Sequence, residues 1–355
     1  MAKILLVTSV RWASAARLAG AFAQSGCAVD ALFPEGHALA KSRYPEKRFA
    51  YRPLQPLKAL ERAIAGSRPD LVIPCDDRAA AQLRRLKGES DVLASRSGFV
   101  TAAREAGVAA PETVSIPDEA TFDFALRLIG LPAVLKADGS WGGDGVAIVR
   151  TVDEAKAAWR RLSARPSFPR RLLRAIRRRD QHHLAAATPS LCLQRFIPGR
   201  PATTSFACWQ GEVVAANHFD VLVTNGASGP ASVVRRIDDV AMQEAAMRLA
   251  RRFNLSGLYG LDYVRDERGQ PHLIEINPRA TQTSHLSFGP GHDLCAALAE
   301  RLGAVDPGRH AVTGDAVALF PQERTRDRNS PWLRAAHHDV PWDDPRVLDA
   351  CLGAP

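Results

Sequence analysis

Short apolar runs alternate with amphipathic stretches over the first quarter of the chain. The apolar runs have the length of buried strands, and the stretches between them repeat apolar residues at helical spacing. Strands are predicted at 3–9, 28–34 and 70–77, and helices at 12–26, 56–69 and 79–88. This alternation predicts a small parallel α/β domain over residues 1–94. Its first strand-to-helix turn, TSVRWAS, lacks the GxGxxG fingerprint, so we do not expect it to bind a dinucleotide.

After residue 94 the pattern changes, and hairpins of strands are mixed with helices. Helices are predicted within 96–113, where the helix closes at Gly107, and at 118–130, 153–164, 239–257 and 293–303. Strands are predicted at 131–138, 145–151, 191–199, within 204–223 as two strands joined at Gln210-Gly211, and at 258–280 as a hairpin. The fold class is therefore α/β for residues 1–94, followed by α+β. The second part is divided into residues 95–195, residues 196–304 and a C-terminal extension, 305–355.

Two acidic residues, Asp76 and Asp77, end the third predicted strand. At the carboxyl end of a parallel strand, such side chains either contact a ligand or cap the following helix. The sequence leaves both interpretations open.

The composition is that of an ordinary globular protein, with 46% hydrophobic and 24% charged residues in a chain of 355. No apolar run approaches the roughly 20 residues of a membrane helix, and the N-terminus resembles a first strand rather than a signal peptide. The six cysteines are scattered without a CxxC pair, which argues against a structural zinc site. The net charge of +9 fits the handling of anionic nucleotides and carboxylates better than nucleic-acid binding. We therefore expect a cytoplasmic protein with no membrane or nucleic-acid partner.

The sharpest candidate chemistry lies in the predicted hairpin at 258–280. Asp262 lies in its first strand, and Glu275 and Asn277 lie two residues apart in its second strand, so they share one face. Two carboxylates and an amide oxygen form a hard-oxygen site that suits Mg²⁺ together with substrate phosphates. Arg279 follows on the loop and adds a positive charge. An amphipathic hairpin facing water is the ordinary alternative, but it does not explain acids embedded between apolar residues in HLIEINPRA.

Lys136 ends a predicted strand and is followed by a glycine-rich loop, in the sequence KADGSWGGDGV. Such a lysine presents a point charge to phosphate oxygens, and glycines let backbone N–H groups approach them closely. The lysine precedes the glycines and no GK[ST] follows, so the loop is not a Walker A motif. Taken alone, the loop cannot be distinguished from a linker.

Four separated motifs occur in an order that resembles the ATP-grasp superfamily of carboxylate ligases. They are AGVAAPET, PAVLKADGSWGGDGVAIV, LQRFIPGRPA and GLDYV followed by HLIEINPRAT. The resemblance covers residues 95–300 and implies two lobes that grip ATP with Mg²⁺ or Mn²⁺, a small lobe, 95–195, and a catalytic lobe, 196–304. Residues 1–94 then correspond to the small Rossmann-like domain that usually precedes this fold.

The resemblance also implies roles for individual residues. Lys136 and Arg279 would be the catalytic residues. Lys136 would contact the α- and β-phosphates, and Arg279 would stabilise the transferring phosphoryl group. Asp262, Glu275 and Asn277 would hold the metal. The ATP-binding residues would be Arg96, Lys136, Gly139, Ser140, Gly142, Gly143, Gly145, Gln194, Arg195 and Ile197.

Two positions depart from the family pattern. Arg96 stands where the family commonly has a phosphate-binding lysine, which keeps the charge but changes its geometry. The acid that often holds the ribose has no obvious counterpart near Gly199-Arg200-Pro201.

The activity implied by the resemblance is ligation. ATP would phosphorylate a substrate carboxylate to an acyl phosphate, and an amine would then displace phosphate, with release of ADP. A bicarbonate-using carboxylase, or an enzyme similar to carbamoyl phosphate synthetase, is one alternative. A nucleotide-binding protein without catalysis is another, and the complete set of phosphoryl-transfer residues argues against it.

Other segments are candidates for substrate or partner binding. Arg235 and Arg236 either bind a substrate carboxylate or end a solvated strand, and Ser284 and His285 either contact the acceptor or belong to an ordinary loop. The basic insertion, 165–190, is either a solvated helical face or a docking site for an acidic carrier or partner. In the tail, Trp332 and Trp342 mark either a docking surface or packing onto the catalytic lobe. The partners expected first are a small-molecule carboxylate and an amine.

Overall fold

The computed structural model describes most of the chain. The described residues are 1–89, 91–93, 95–138, 145–164, 190–226, 229–305 and 307–353. The central part of the glycine-rich loop, including Gly139, Ser140, Gly142 and Gly143, lies outside them, as does the basic insertion up to residue 189. Among the described helices, none is long and apolar enough to cross a membrane.

The N-terminal domain is a parallel sheet with helices, as the alternating pattern predicts. Its strands are β1 (Lys3–Val7), β2 (Ala28–Phe33), β3 (Arg48–Ala50) and β4 (Leu71–Pro74), in the order β3-β2-β1-β4. Its helices are α1 (Ser14–Gln24), α2 (Pro56–Ser67) and α3 (Asp77–Lys87). The short edge strand β3 was not predicted, because only one of its three residues is a large apolar residue.

The small lobe consists of an antiparallel sheet with two helices on one face. Its elements are α4 (Arg96–Glu105), β5 (Thr113–Ile116), α5 (Glu119–Ile129), β6 (Ala133–Ala137), β7 (Val146–Val149), α6 (Val152–Ser163) and β8 (Leu191–Arg195), with the strand order β5-β8-β6-β7. Helix α4 ends at Glu105, two residues before Gly107, where the sequence predicts its end, and Thr113 begins a strand. Leu135 and Leu193 pack against α5 and α6, so the alternate residues Lys136 and Gln194 lie on the opposite face of the sheet.

The catalytic lobe is built on a seven-stranded sheet in the order β13-β12-β9-β10-β11-β14-β15. Its elements are β9 (Arg200–Trp209), β10 (Glu212–Thr224), β11 (Ala231–Ile237), α7 (Val240–Arg252), β12 (Gly257–Arg265), β13 (Pro271–Asn277), α8 (Leu294–Arg301), β14 (Ala316–Ala318), α9 (Gln322–Arg326), α10 (Trp332–Ala335), β15 (His337–His338) and α11 (Pro345–Leu352). Gln210 and Gly211 both have positive φ, 49° and 80°. That conformation is typical of a tight hairpin turn and explains the predicted connection between β9 and β10.

The last fifty residues are integrated into the rest of the molecule. Strand β14 pairs with β11, which extends the large sheet into the segment predicted as a separate C-terminal extension.

Helix α8 packs against α1 in one core, where Phe22 and Leu18 lie with Leu294 and Leu298. The N-terminal domain and the catalytic lobe therefore share a hydrophobic core, because each of these helices buries its apolar face against the other.

Candidate active site

The hairpin of β12 and β13 places the predicted metal ligands side by side. Asp262 lies directly opposite Glu275, and Asn277 lies opposite Gly260, so the three side chains share one face. One carboxylate oxygen of Asp262 accepts a hydrogen bond from the Thr203 hydroxyl at 2.9 Å, and the other accepts one from the Asn277 amide at 2.8 Å. The hairpin thus presents two neighbouring carboxylates, one of them held in a fixed orientation.

These two carboxylates repel one another. Burial and the nearby Glu275 carboxylate raise the pKa of Asp262 above its ordinary value. In the described parts of the chain, no group of three or more His, Cys, Asp and Glu side chains is arranged to hold a metal. The two carboxylates of the hairpin are a donor set that fits Mg²⁺, which is commonly held by one or two carboxylates together with substrate phosphates.

A β-bulge next to this pair provides the partner of a buried lysine. The register shifts between Asp262 and Tyr263, which leaves Ile274 as the extra residue of β13. The carbonyl oxygen of Ile274 accepts a hydrogen bond from the ammonium group of Lys136 at 3.4 Å. Burial lowers the pKa of Lys136, against the opposing effect of Glu275. The lysine predicted to bind phosphate therefore reaches from the small lobe to the edge of the carboxylate pair.

Arg96 brings a second cation from the small lobe. Ser95 is the N-cap of α4, since its hydroxyl accepts a hydrogen bond from the backbone N–H of Gly98 at 3.2 Å. Arg96 is consequently the first residue of the helix. Its guanidinium contacts Glu275 at 3.1 Å and donates to the carbonyl oxygen of Ala137. The two lobes therefore meet at Glu275, whose carboxylate is already paired with a cation.

Arg279 is held by both the hairpin and the N-terminal domain. Its Nη2 donates to the Asn277 side-chain oxygen at 3.0 Å, and its Nε donates to Asp77 at 2.8 Å. The ring of Trp12 lies 5.3 Å from the guanidinium carbon, within the range of a cation–π interaction. A continuous chain of hydrogen bonds thus runs from Asp262 through Asn277 and Arg279 to Asp77.

Asp76 and Asp77 have different roles although they are adjacent. Asp76 caps α3 by accepting a hydrogen bond from the N–H of Ala79 at 2.9 Å, and it also accepts hydrogen bonds from Thr8 and Ser9. Asp77 reaches Arg279 instead. The capping interpretation therefore holds for Asp76, whereas Asp77 belongs to the candidate site.

The residues predicted to lie near the adenine follow one another at the end of β8. Gln194 is buried and donates to the Thr113 hydroxyl at 3.0 Å, whereas Arg195 is exposed and pairs with Glu112 at 3.0 Å. Ile197 is half-buried in the connection that follows. Their contact with a nucleotide stays a prediction.

Of the predicted glycine loop, only the two ends lie within the described residues. The carbonyl oxygen of Gly145 accepts a hydrogen bond from the N–H of Ala137 at 2.8 Å, which closes the base of the loop beside Lys136. The proposed closure over phosphates concerns residues outside the described part and stays a prediction.

Arg235 and Arg236, two of the four predicted substrate residues, lie on β11. Arg235 is about half exposed and pairs with Asp315 at 3.4 Å. Arg236 contacts Asp238 at 3.0 Å and the ring of His292 at 3.1 Å. Both arginines thus have protein partners, and their binding of a substrate carboxylate stays a prediction.

Ser284 and His285 are both buried. The Ser284 hydroxyl accepts a hydrogen bond from the N–H of Thr281 at 2.8 Å, and His285 pairs with Asp339 of the C-terminal segment at 2.8 Å. Their partners are protein groups that hold the loop and the tail together. This arrangement favours the interpretation of His285 as an ordinary loop histidine, and neither residue enters the proposal below.

Sequence reasoning missed two side chains that touch the site. Thr203 binds Asp262 because β9 pairs with β12 and places the two residues opposite one another, which no local pattern reveals. Trp12 lies in the first strand-to-helix turn, and the carboxyl edge of a parallel sheet is where ligands collect. That rule was available from the sequence and would have directed attention to Trp12.

A comparison with known families identifies the domain. Residues 171–283 match the model of the ATP-grasp domain. This chain contains an ATP-grasp domain. Among proteins with curated descriptions, none matches the sequence significantly.

Solved structures share the fold of this chain over most of their length. The N5-carboxyaminoimidazole ribonucleotide synthetase from Thermus thermophilus has a TM-score of 0.61 at 18% identity, covering 85% of this chain and 78% of that chain. The N5-carboxyaminoimidazole synthetase from Staphylococcus aureus, complexed with ADP, has a TM-score of 0.60 at 14% identity, covering 87% and 79%. The biotin carboxylase domain of the Hydrogenobacter thermophilus 2-oxoglutarate carboxylase, in complex with MgADP, ADP and bicarbonate, has a TM-score of 0.58 at 14% identity, covering 88% and 71%.

Proposed function

We propose that the protein is an ATP-dependent, ADP-forming ligase that activates a substrate carboxylate as an acyl phosphate and transfers the acyl group to an amine. The observation that carries this proposal is the meeting of Arg96 and Lys136 of the small lobe with Asp262 and Glu275 of the hairpin. Cations for phosphate oxygens and carboxylates for a divalent metal are the two requirements of phosphoryl transfer from ATP. The ADP and MgADP named for the similar structures support the same nucleotide here.

The reaction would proceed in two transfers. A carboxylate oxygen of the substrate attacks the γ-phosphorus of ATP, the bond from this phosphorus to ADP breaks, and an acyl phosphate forms. The amine nitrogen then attacks the acyl carbon and loses its proton, and inorganic phosphate leaves. Neither step needs a covalent bond to the protein, so positioning and electrostatic stabilisation would provide most of the rate enhancement.

Each residue of the site has a place in this scheme. Lys136 and Arg96 would hold phosphate oxygens, and Arg279 would stabilise negative charge on the transferring phosphoryl group. Asp262, Glu275 and Asn277 of the hairpin would hold Mg²⁺ or Mn²⁺, which would neutralise phosphate charge. Since Arg96 pairs with Glu275, nucleotide and metal binding would exchange this ion pair for contacts with phosphate and metal.

The test is ADP release, screened against carboxylic acids paired with amines. Glu275→Gln serves as the blank. Glu244→Gln serves as the matched control because it removes an exposed glutamate whose partner among the described residues is its helical neighbour Arg248. We expect ADP release that requires both substrates in the parent and in Glu244→Gln, and its loss in Glu275→Gln. ATP turnover by Glu275→Gln at the parent's rate would refute the proposed site.

A bicarbonate-using carboxylase is the second candidate. It is favoured by the bicarbonate named in the complex of the Hydrogenobacter thermophilus biotin carboxylase domain. Bicarbonate would then take the place of the organic carboxylate, and the phosphorylated intermediate would be carboxyphosphate. ADP release that depends on bicarbonate in CO₂-depleted buffer, with incorporation of labelled carbon into the amine, would select this candidate.

Two further expectations accompany the proposal. We propose the cytoplasm as the working compartment, which the six free cysteines support, since five of them are buried and none forms a disulfide. Docking of an acidic carrier or partner on the basic insertion remains a prediction about residues outside the described part of the chain.

A further inference from the structure

The N-terminal domain contributes to the candidate site a side chain that the proposed reaction does not itself use. Asp77 is the first residue of α3, and its carboxylate accepts a hydrogen bond from Nε of Arg279 at 2.8 Å. Arg279 is 12% exposed, whereas Asp77 is 46% exposed. The carboxylate of Asp77 is thus the more solvent-exposed member of the pair, and the guanidinium of Arg279 is the more buried one.

The backbone that carries Asp77 is fixed from two directions. The preceding residue, Asp76, is fully buried and accepts hydrogen bonds from Thr8 and Ser9 at the end of β1. The carbonyl oxygen of Pro74, at the end of β4, accepts a hydrogen bond from the N–H of Ala280 at 2.9 Å. The loop that carries Arg279 and the start of α3 are therefore held in register by the backbone as well as by the side chains.

We propose that Asp77 is a positioning residue of the N-terminal domain that orients the guanidinium of Arg279 toward the transferring phosphoryl group. This inference rests on the proposed function, in which Arg279 contacts that group.

The contacts of Arg279 explain why one carboxylate matters. Asn277 binds Nη2 and the carbonyl oxygen of Ala280 binds Nη1, while the ring of Trp12 lies over the guanidinium carbon. Asp77 binds Nε and supplies the counter-charge, which favours one rotation of the planar group over its alternatives. Without this carboxylate, the guanidinium keeps its charge but loses the contact that fixes Nε.

The experiment measures binding of two probes to the full-length protein by calorimetry. MgADP is titrated first, and orthovanadate is then titrated into the MgADP-loaded protein, because vanadate imitates a phosphoryl group in transfer. The variants are Asp77→Asn, which keeps the shape, and Asp77→Glu, which keeps the charge. The control is Asp343→Asn, which removes a carboxylate that ties the C-terminal segment to Arg17 of the N-terminal domain, away from Arg279.

We expect the MgADP affinity of every variant to stay within twofold of the parent. The vanadate affinity of Asp77→Asn should fall about tenfold, since a misplaced group loses transition-state contacts. It should fall less than threefold in Asp77→Glu and in Asp343→Asn. The midpoint of thermal unfolding of each variant shows whether a loss of affinity arises from unfolding instead.

The outcomes distinguish the two proposals. Parent-like vanadate affinity in Asp77→Asn, or an equal loss in Asp343→Asn, would overturn the positioning role while leaving the proposed function in place. A parent protein that binds MgADP but no vanadate would also overturn the positioning role. A parent protein that binds no MgADP would refute the proposed function and this inference with it.

Discussion

Two polar clusters join separate parts of this chain, and the pKa of a buried carboxyl group shifts in opposite directions in the two. It is raised for Asp262 in one cluster and lowered for Asp339 in the other. The phosphate-side cluster consists of Arg96, Lys136, Asp262 and Glu275 between the lobes. The tail cluster consists of Arg17, His285, Asp339 and Asp343, between the N-terminal domain, the catalytic lobe and the C-terminal segment.

In the phosphate-side cluster, burial acts against the charged forms of two of the four groups. Burial lowers the pKa of Lys136, and burial together with Glu275 raises the pKa of Asp262. In the tail cluster, burial opposes ionisation of Asp339, yet His285 and Arg17 hold its pKa far below its usual range. In the first cluster burial pushes Lys136 and Asp262 toward their neutral forms, whereas in the second the protein partners of Asp339 hold its carboxylate ionised. This difference separates a candidate active site from a structural ion-pair network, which burial alone cannot do.

The largest effect that separates the two clusters is expected for Asp262→Asn. ADP release should fall on the order of 10³-fold, since a group that acts on transition-state charge is lost. The free energy of unfolding should rise, because a group whose folded-state pKa is raised costs stability when it is ionised at neutral pH. Turnover assays and urea unfolding at pH 7 measure the two quantities. A lower free energy of unfolding in this variant would mean that Asp262, like Asp339, stabilises the fold.

The reverse result is expected for Asp339→Ala. Removal of this carboxylate leaves Arg17 and His285 without their buried partner, and the free energy of unfolding should fall by about 3 kcal/mol. MgATP affinity should change less than twofold, because the cluster does not include the nucleotide site. Asp343→Ala is the matched control, with an expected loss below about 1 kcal/mol because that carboxylate is partly exposed. Equal losses of unfolding free energy in the two variants would show that the burial of Asp339 does not increase its contribution to stability.

Acid should weaken the tail cluster in a defined pH window. The folded-state pKa of Asp339 is depressed, so its stabilising effect is complete above the unfolded value near pH 4 and is lost as the pH falls toward the folded value. Between pH 5 and pH 3 the parent should lose about 1 kcal/mol more of its unfolding free energy than Asp339→Asn does. Urea unfolding at intervals of half a pH unit measures this difference. Parallel curves for the two proteins would contradict the depressed pKa.

The smallest effect is expected for Trp342→Ser in the same tail. Trp342 is 72% exposed, so its removal should change the free energy of unfolding by less than about 0.5 kcal/mol. Thermal unfolding of the variant beside Asp339→Ala measures the contrast. A larger loss would mean that the tail is held by its aromatic residues rather than by the ion pairs.

The candidate site was largely predictable because its chemistry lies in short segments. Glu275 and Asn277 share a face by the period of a strand, and Lys136 precedes the glycines on the same local segment. The bulge at Ile274 was not predictable, since a register shift depends on how two strands pair. The contacts of Asp77 and Trp12 with Arg279 were not predictable either, because about 200 or more residues separate the partners in the chain.

The sequence by itself predicted most of the strands and helices up to residue 304, the turn at Gln210-Gly211 and a set of candidate residues for phosphate and metal. These features follow from local periodicity, backbone preference and side-chain chemistry. Only the tertiary structure decided that Arg96 pairs with Glu275, that Asp77 holds Arg279 and that His285 is buried against Asp339. Each of these ion pairs joins distant segments, and their geometry is set by the packing of whole elements against one another.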